Sequence, residues 1–375
     1  MKVLFLTSRY PNYNMPYSHM FVHMRVKEFK RQNFCVEVIV PSRKDDFYIY
    51  DNIKVIKRQV PKILSKLCNY DIIYIHLLNL YPFSKVNNWL IYKEILRRKY
   101  KFAIYIHGSE FLSFKERYFG NYLNIRDLLM WIRKDLYQLP KIKKFLKNFN
   151  YGNGIVITPS NWMKIKIHNL LKKEKKITVI PNGIDTKMFK FKPNSNNNRI
   201  LSIRPLGDKV YDIESTIKIM TLLPDNYTLD IYGEGRYSNY YNKLIIAQGL
   251  SSRVKIINSF IERNVMNTLF HNYCIFLTTT KLDTQGVTML EAMSSGLLVA
   301  SINNSSKKEF IVDFKTGVLA DNIYDLSKKI LKAFNSNLYK EIISSARKSV
   351  EEINIEKTCK LEAKILTDLF NKNKL

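Results

Sequence analysis

Short apolar runs rich in β-branched residues alternate with stretches of helical periodicity, and the alternation occurs twice, on either side of a polar segment. The first group of runs covers residues 3–7, 36–40, 53–60, 72–76, 102–107, 155–158 and 177–180, with helical patterns such as 17–32 and 89–100 between them. A turn at Pro181-Asn182-Gly183-Ile184-Asp185 follows, then the polar stretch Lys192-Pro193-Asn194-Ser195-Asn196-Asn197-Asn198, which reads as a linker. The second group covers 199–203, 228–232, 254–257, 274–278 and 297–300, and a charged helix starts near residue 355. Near-continuous apolar strands separated by helices build βαβ units with parallel sheets covered on both faces. The chain is therefore expected to form two doubly wound α/β domains, 1–188 and 189–354, with a terminal helix at 355–375 free to pack back on the first. In such sheets ligands bind beyond the carboxyl ends of the strands, so two sheets facing each other would make a cleft between domains.

At 375 residues the chain is long enough for two cores, and 46% apolar with 25% charged residues excludes wholesale disorder. Cys35, Cys68, Cys274 and Cys359 are far apart with no Cys-x-x-Cys pair, which signals neither a zinc site nor a disulfide framework and fits a reducing cytosol. The opening apolar run, Val3 to Leu6, is too short for a signal-peptide core, and no segment reaches the roughly 18 apolar residues of a membrane span. The expectation is a cytoplasmic protein, peripheral at most on the inner membrane face. Net charge is the outlier at +29, and it is unevenly spread. Residues 1–190 hold 36 Lys/Arg against 13 Asp/Glu, or +23, whereas 191–375 hold 25 against 19, or +6. Such a field attracts nucleic acid, an anionic membrane or phosphorylated substrates, and it also fits a solvated lysine-rich surface.

The second half concentrates chemistry at its strand ends. After the run at 274–278 comes Asp283-Thr284-Gln285-Gly286-Val287-Thr288-Met289-Leu290-Glu291, two acids eight positions apart. Gly286 allows close backbone approach to a ligand. The helix expected to begin at Val287 or Thr288 would point free N–H groups and its positive dipole end at the same spot, a phosphate cradle. Glu291 then lies about one turn into that helix, within reach of a hydroxyl-bearing group beside the phosphate. Upstream, Arg204 follows the run at 199–203 and Lys209 comes five residues later, two cations where a diphosphate needs compensation.

These residues resemble the retaining glycosyltransferases of the GT4 family, which have the GT-B fold of two Rossmann-like domains and use nucleotide-sugar donors. The resemblance rests on six elements in order across residues 1 to about 335. They are His107-Gly108-Ser109-Glu110, similar to the family's His-Gly-x-Asp; Ile157-Thr158-Pro159-Ser160; the Val179-to-Asp185 turn; Arg204-Pro205-Leu206-Gly207-Asp208-Lys209; Gly233-Glu234-Gly235; and the Glu-x7-Glu-type pair, here Asp283 and Glu291. Two departures stand out: Asp283 replaces the first Glu, and Ser8-Arg9-Tyr10-Pro11-Asn12-Tyr13-Asn14 replaces a glycine-rich loop.

The resemblance implies transfer of a sugar from a nucleoside diphosphate to a hydroxyl with retention of configuration, in cell-surface polysaccharide or lipopolysaccharide synthesis. It implies that Arg204, Lys209, Gly233 and the amides of Gly286, Val287 and Thr288 hold the diphosphate. Glu291 would bind the ribose, Asp283 the donor sugar, and His107 would face the reacting sugar. No Asp-x-Asp pair occurs and two cations are at hand, so catalysis without a metal or cofactor is expected. The first domain would bind a saccharide or lipid-linked acceptor. Ile142, Phe145, Leu146 and Phe149 recur at i, i+3, i+4 and i+7 beside Lys141, Lys143, Lys144 and Lys147, a basic amphipathic pattern that suits an anionic membrane surface and equally an ordinary helix packed on its own sheet. Rival readings are a nucleotide-sugar epimerase or phosphorylase on the same fold, and a non-catalytic basic protein binding membrane or nucleic acid. No helix-turn-helix, RNP-like or zinc signature supports nucleic-acid binding.

Overall fold

The computed structural model describes residues 1–81, 86–108, 110–119, 125–150, 152–193, 197–334 and 338–372. Ser109 of the His-Gly motif and Asn194, Ser195 and Asn196 of the polar stretch lie outside the described residues. The chain forms two compact units. The first contains residues 1–117, 125–182 and the helix Ile355–Asn371, and the second contains residues 183–354, so the boundary falls between Asn182 and Gly183, ahead of residue 188.

The first unit is built on β1 (Lys2–Thr7), β2 (Cys35–Pro41), β3 (Asp46–Tyr50), β4 (Ile53–Arg58), β5 (Ile72–His76), β6 (Phe102–Tyr105), β7 (Gly154–Thr158) and β8 (Ile177–Val179). They lie in the order β3-β4-β2-β1-β5-β6-β7-β8, all parallel except β3, which runs antiparallel to β4 at the edge. Alternation along β1 loads both faces of this sheet. Leu4 and Leu6 join a core with Ile142, Phe145, Leu146 and Phe149, while Val3 and Phe5 join one with Val22, Val26 and Phe29. The helix Ile355–Asn371 completes this second core through Cys359, Ala363, Leu366 and Leu369.

Glu362 on that helix is fully buried and accepts from Nε of Arg25 at 3.0 and 3.1 Å and from the Tyr74 hydroxyl at 2.7 Å. The Arg25 guanidinium also donates to Asn182 Oδ1 at 3.0 Å and lies 4.2 Å from the centre of the Tyr105 ring.

The second unit holds β9 (Arg199–Ile203), β10 (Thr228–Tyr232), β11 (Val254–Ile257), β12 (Ile275–Thr278), β13 (Leu298–Ile302) and β14 (Val318–Ala320) in the order β11-β10-β9-β12-β13-β14, all parallel. One core cluster on this sheet joins Ile200, Leu229, Ile231, Ile275, Leu277 and Leu298 to the helices around them.

Candidate active site

In the second sheet, β9 and β12 are neighbours from which the strand order proceeds to opposite edges. Loops leaving the carboxyl ends of such a pair diverge and leave room for a ligand. Arg204 leaves β9 at this point with its side chain 8% exposed. Its Nε donates to Thr280 Oγ1 at 3.0 Å, Nη2 to Thr278 Oγ1 at 2.9 Å and Nη1 to the Ile203 carbonyl at 3.2 Å. The nearest carboxylate, Asp283 Oδ2, is 3.9 Å away. The guanidinium is thus oriented by hydroxyls at the end of β12 and only loosely balanced in charge.

The Gly-x-Gly turn after β10 supports this loop from behind. A Cβ on Gly233 would lie 2.0 Å from the Arg204 carbonyl oxygen, and one on Gly235 would lie 2.1 Å from the Gly207 nitrogen, so side chains are excluded at both positions. The contact is closed by a hydrogen bond from Leu206 N to the Glu234 carbonyl at 2.9 Å.

Asp283 shapes the next turn. Its Oδ1 accepts from the amides of Gln285 (3.2 Å) and Gly286 (2.8 Å), and its own amide donates to Ser305 Oγ at 3.0 Å. Gly286, at φ 77°, then starts the helix Val287–Ser295 in a left-handed conformation that favours glycine. The Gly286 amide is therefore engaged by Asp283, while Val287 and Thr288 begin the helix half-buried.

Glu291 is buried one turn in. Its carboxyl is pushed up foremost by burial and pulled back by Arg263, whose Nη1 donates to Oε1 at 2.7 Å. Lys209 stands apart from this group: its Nζ donates to Glu214 Oε1 at 3.2 Å and lies near the rings of Tyr237 and Tyr240. A different lysine is in place. Lys307, fully buried, follows β13 and donates from Nζ to the Thr280 carbonyl at 2.6 Å. Burial pushes its pKa down to about 7, against the pull of Asp283 and with the repulsion of Arg204.

In the first unit, His107 follows β6 and is half-buried against aromatic rings, with the centre of Phe21 at 4.2 Å and of Tyr105 at 4.3 Å. Its Nε2 shares a hydrogen bond with His76 Nδ1 at 3.1 Å. Burial first, then the neighbouring His76 and Arg25, hold its pKa well below the usual imidazole range, so the ring is neutral. Glu110 fixes the turn by accepting from the amides of His107 (2.8 Å) and Gly108 (3.1 Å), and burial raises its pKa to about 7. Among the described residues, no group of three or more His, Cys, Asp or Glu side chains is placed to hold a metal ion, and no helix is long and apolar enough to cross a membrane.

The family model for glycosyl transferases group 1 matches residues 183–349, and that for glycosyltransferase family 4 matches residues 19–188. The chain belongs to the group 1 (GT4) glycosyltransferases. As a glycosyltransferase of this family it moves a sugar from a nucleotide sugar. Its fold is that of GT-B enzymes. It is similar to sucrose-phosphate synthase from Thermosynechococcus elongatus (TM-score 0.76, 14% identity, covering 98% of this chain and 99% of that one). It is also similar to HepE from Anabaena in complex with UDP (TM-score 0.73, 16% identity, 98% and 100%) and to a glycosyltransferase from Rickettsia africae (TM-score 0.68, 17% identity, 98% and 98%). No curated protein matches the chain by sequence.

In this glycosyltransferase the structure gathers Arg204, Gly233, Asp283, Gly286 and Glu291 within one unit around the ends of β9, β10 and β12. The lysines proposed for acceptor or membrane contact occupy the helix Leu139–Asn148, and there the structure chooses between the two readings of its apolar stripe: Ile142, Phe145, Leu146 and Phe149 are core residues. That stripe packs on the sheet and is not offered to lipid. Lys141 lies over the rings of Trp89 and Tyr137, Lys143 is half-buried, and Lys144 and Lys147 are exposed. Two partners escaped sequence reasoning, Arg263 and Lys307. Nothing in the string Ser305-Ser306-Lys307-Lys308 separates the buried lysine from its exposed neighbour.

Proposed function

We propose that this glycosyltransferase transfers a sugar, with retention of anomeric configuration, from a nucleoside diphosphate to a hydroxyl of a saccharide or lipid-linked acceptor presented at a membrane in cell-surface polysaccharide or lipopolysaccharide synthesis. The observation that carries the reading is the buried Arg204 guanidinium, held by Thr278 and Thr280 at the switch point of the second sheet. Breaking the bond from the anomeric carbon to the diphosphate oxygen leaves negative charge on the diphosphate. Fixed donors that meet that charge stabilise the transition state more than the ground state. Arg204, Lys307 and the amides of Val287 and Thr288 supply such donors, whereas Lys209 is held by Glu214.

Glu291 is assigned to the ribose. Arg263 occupies Oε1, and Oε2 is the atom to accept sugar hydroxyls. Asp283 spends Oδ1 on its own turn and offers Oδ2 to the donor sugar. His107, held neutral, contributes a hydrogen bond to the reacting sugar. The solved structures of HepE with UDP-glucose and of the pneumococcal O-GlcNAc transferase GtfA with UDP and GlcNAc make UDP-linked donors the first to try.

Arg204→Ala and Glu291→Ala should each lower turnover by about two orders of magnitude or more, as expected for losing a charge-assisted contact in a buried site. Folded variants that transfer sugar at the wild-type rate would refute the assignment.

A further inference from the structure

One helix of the first unit is inside out. Ile125–Trp131 continues through a π-helical stretch, Ile132–Gln138, into Leu139–Asn148. In the last part the apolar residues face the core, but before the π-helical stretch ends the reverse holds. Ile125 is 79% exposed, Leu129 62% and Leu136 60%, and Leu128 and Ile132 are exposed with them. Ile125, Leu128, Leu129 and Ile132, at i, i+3, i+4 and i+7, share one helical face, and Leu136 continues the exposed apolar run inside the π-helical stretch.

Four polar residues of the same segment turn inward. Asp127 is buried, Asp135 accepts from the Phe114 amide at 2.7 Å, Lys134 donates to the Leu112 carbonyl at 3.2 Å and the buried Gln138 donates to the Glu110 carbonyl at 3.0 Å. These contacts specify which way the helix faces, so the outward leucines are part of the fold. π-Helical insertions of this kind recur at functional sites, and contiguous exposed apolar surface marks an interaction surface.

Charge selects the occupant. Over residues 125–148 Arg126, Lys144 and Lys147 are exposed and Arg133, Lys141 and Lys143 half-buried, whereas Lys134, Asp127 and Asp135 turn inward, so the outward charge is all positive. A second copy would bring a surface of the same sign against this one, whereas an anionic bilayer accepts apolar side chains and cations together. We propose that the face formed by Ile125, Leu128, Leu129, Ile132 and Leu136 lies in the interfacial layer of an anionic bilayer, with the exposed Arg126, Lys144 and Lys147 on lipid headgroups. The inference rests on the reading of a membrane-borne acceptor and names the surface that meets the membrane.

The test is cosedimentation of the full chain with vesicles of phosphatidylglycerol and phosphatidylcholine, or of phosphatidylcholine alone. A Leu129→Ser/Ile132→Ser/Leu136→Ser variant, whose changes are all at exposed positions, is run beside a Lys144→Gln/Lys147→Gln variant. The wild type should bind the anionic vesicles and leave the neutral ones. The serine variant should bind at least tenfold more weakly with an unchanged unfolding midpoint, and the glutamine variant should release at lower salt. A wild type that ignores anionic vesicles, or a serine variant that binds as well as wild type, overturns the proposal. A wild-type dimer that the serine changes convert to monomer, without vesicle binding, overturns it in favour of a second copy. Nucleotide-sugar binding is measured on the same samples. If the wild type binds vesicles but no nucleotide sugar, the enzymatic reading fails and the membrane surface stands.

Discussion

Lys307 and Lys308 are adjacent in sequence, yet one is sealed against the Thr280 carbonyl and the other is in solvent. The charged and acidic groups around Lys307 are Asp283, Arg204 and Asp212, and with burial leading they leave its pKa at about 7. A bound diphosphate favours the ammonium form, so the complex takes up a proton and donor affinity should fall as pH rises above about 7, by at most about tenfold per pH unit. Lys307→Met should bind more weakly at pH 6 and show a flat profile from pH 6 to 9. Titration calorimetry with an intact nucleotide sugar, whose diphosphate carries no proton in this range, reads the difference. The pairing of the two acids proposed for the site, Asp283 and Glu291, was legible from the sequence because both sit on one local stretch, with Gly286 between them to start a helix. Arg263 and Lys307 were not. Arg263 reaches Glu291 from another helix and Lys307 reaches Thr280 from another loop, and no local pattern encodes either contact.

Elements show the same divide between local and non-local information. Alternating β and α patterns identified both parallel sheets, since a strand buried on both faces declares itself by composition alone. β3 was missed although Asp46–Tyr50 carries the run Phe47-Tyr48-Ile49-Tyr50, because it pairs antiparallel with β4 at the sheet edge with no helix between them, outside the βαβ alternation. The run at 53–60 stops early, at Arg58, because Pro61 opens the short helix Val60–Leu64. The stripe at Ile142, Phe145, Leu146 and Phe149 illustrates why helical periodicity names an apolar face without naming its partner.

The buried Arg25–Glu362 pair is wholly non-local and ties the helix Ile355–Asn371 to the first unit. Removing one partner strands a buried charge, so Glu362→Leu should destabilise by about 3–5 kcal/mol. Arg25→Met/Glu362→Leu together should recover much of that loss. Denaturant unfolding of the single and double variants checks both expectations, and additive losses would deny the coupling.

At the scale of the whole molecule, most of the +29 charge is carried by the first 190 residues, while the proposed diphosphate site lies in the less charged second unit. Cation side chains are proposed to balance the leaving group, so transfer should persist in EDTA. Silencing by chelation with rescue by Mn²⁺ or Mg²⁺ would instead point to a metal-bridged diphosphate. The central claim is that the ends of β9 and β12 bind a nucleoside diphosphate through Arg204. A thermal-shift titration of wild type and Arg204→Ala with UDP, GDP, ADP and CMP and their sugars tests it directly, because a ligand that binds only the folded state raises the unfolding midpoint by mass action. One nucleotide and its sugar should stabilise the wild type in a concentration-dependent way and leave Arg204→Ala unmoved. No shift of the wild type by any of them, or an equal shift of both proteins, would contradict the account.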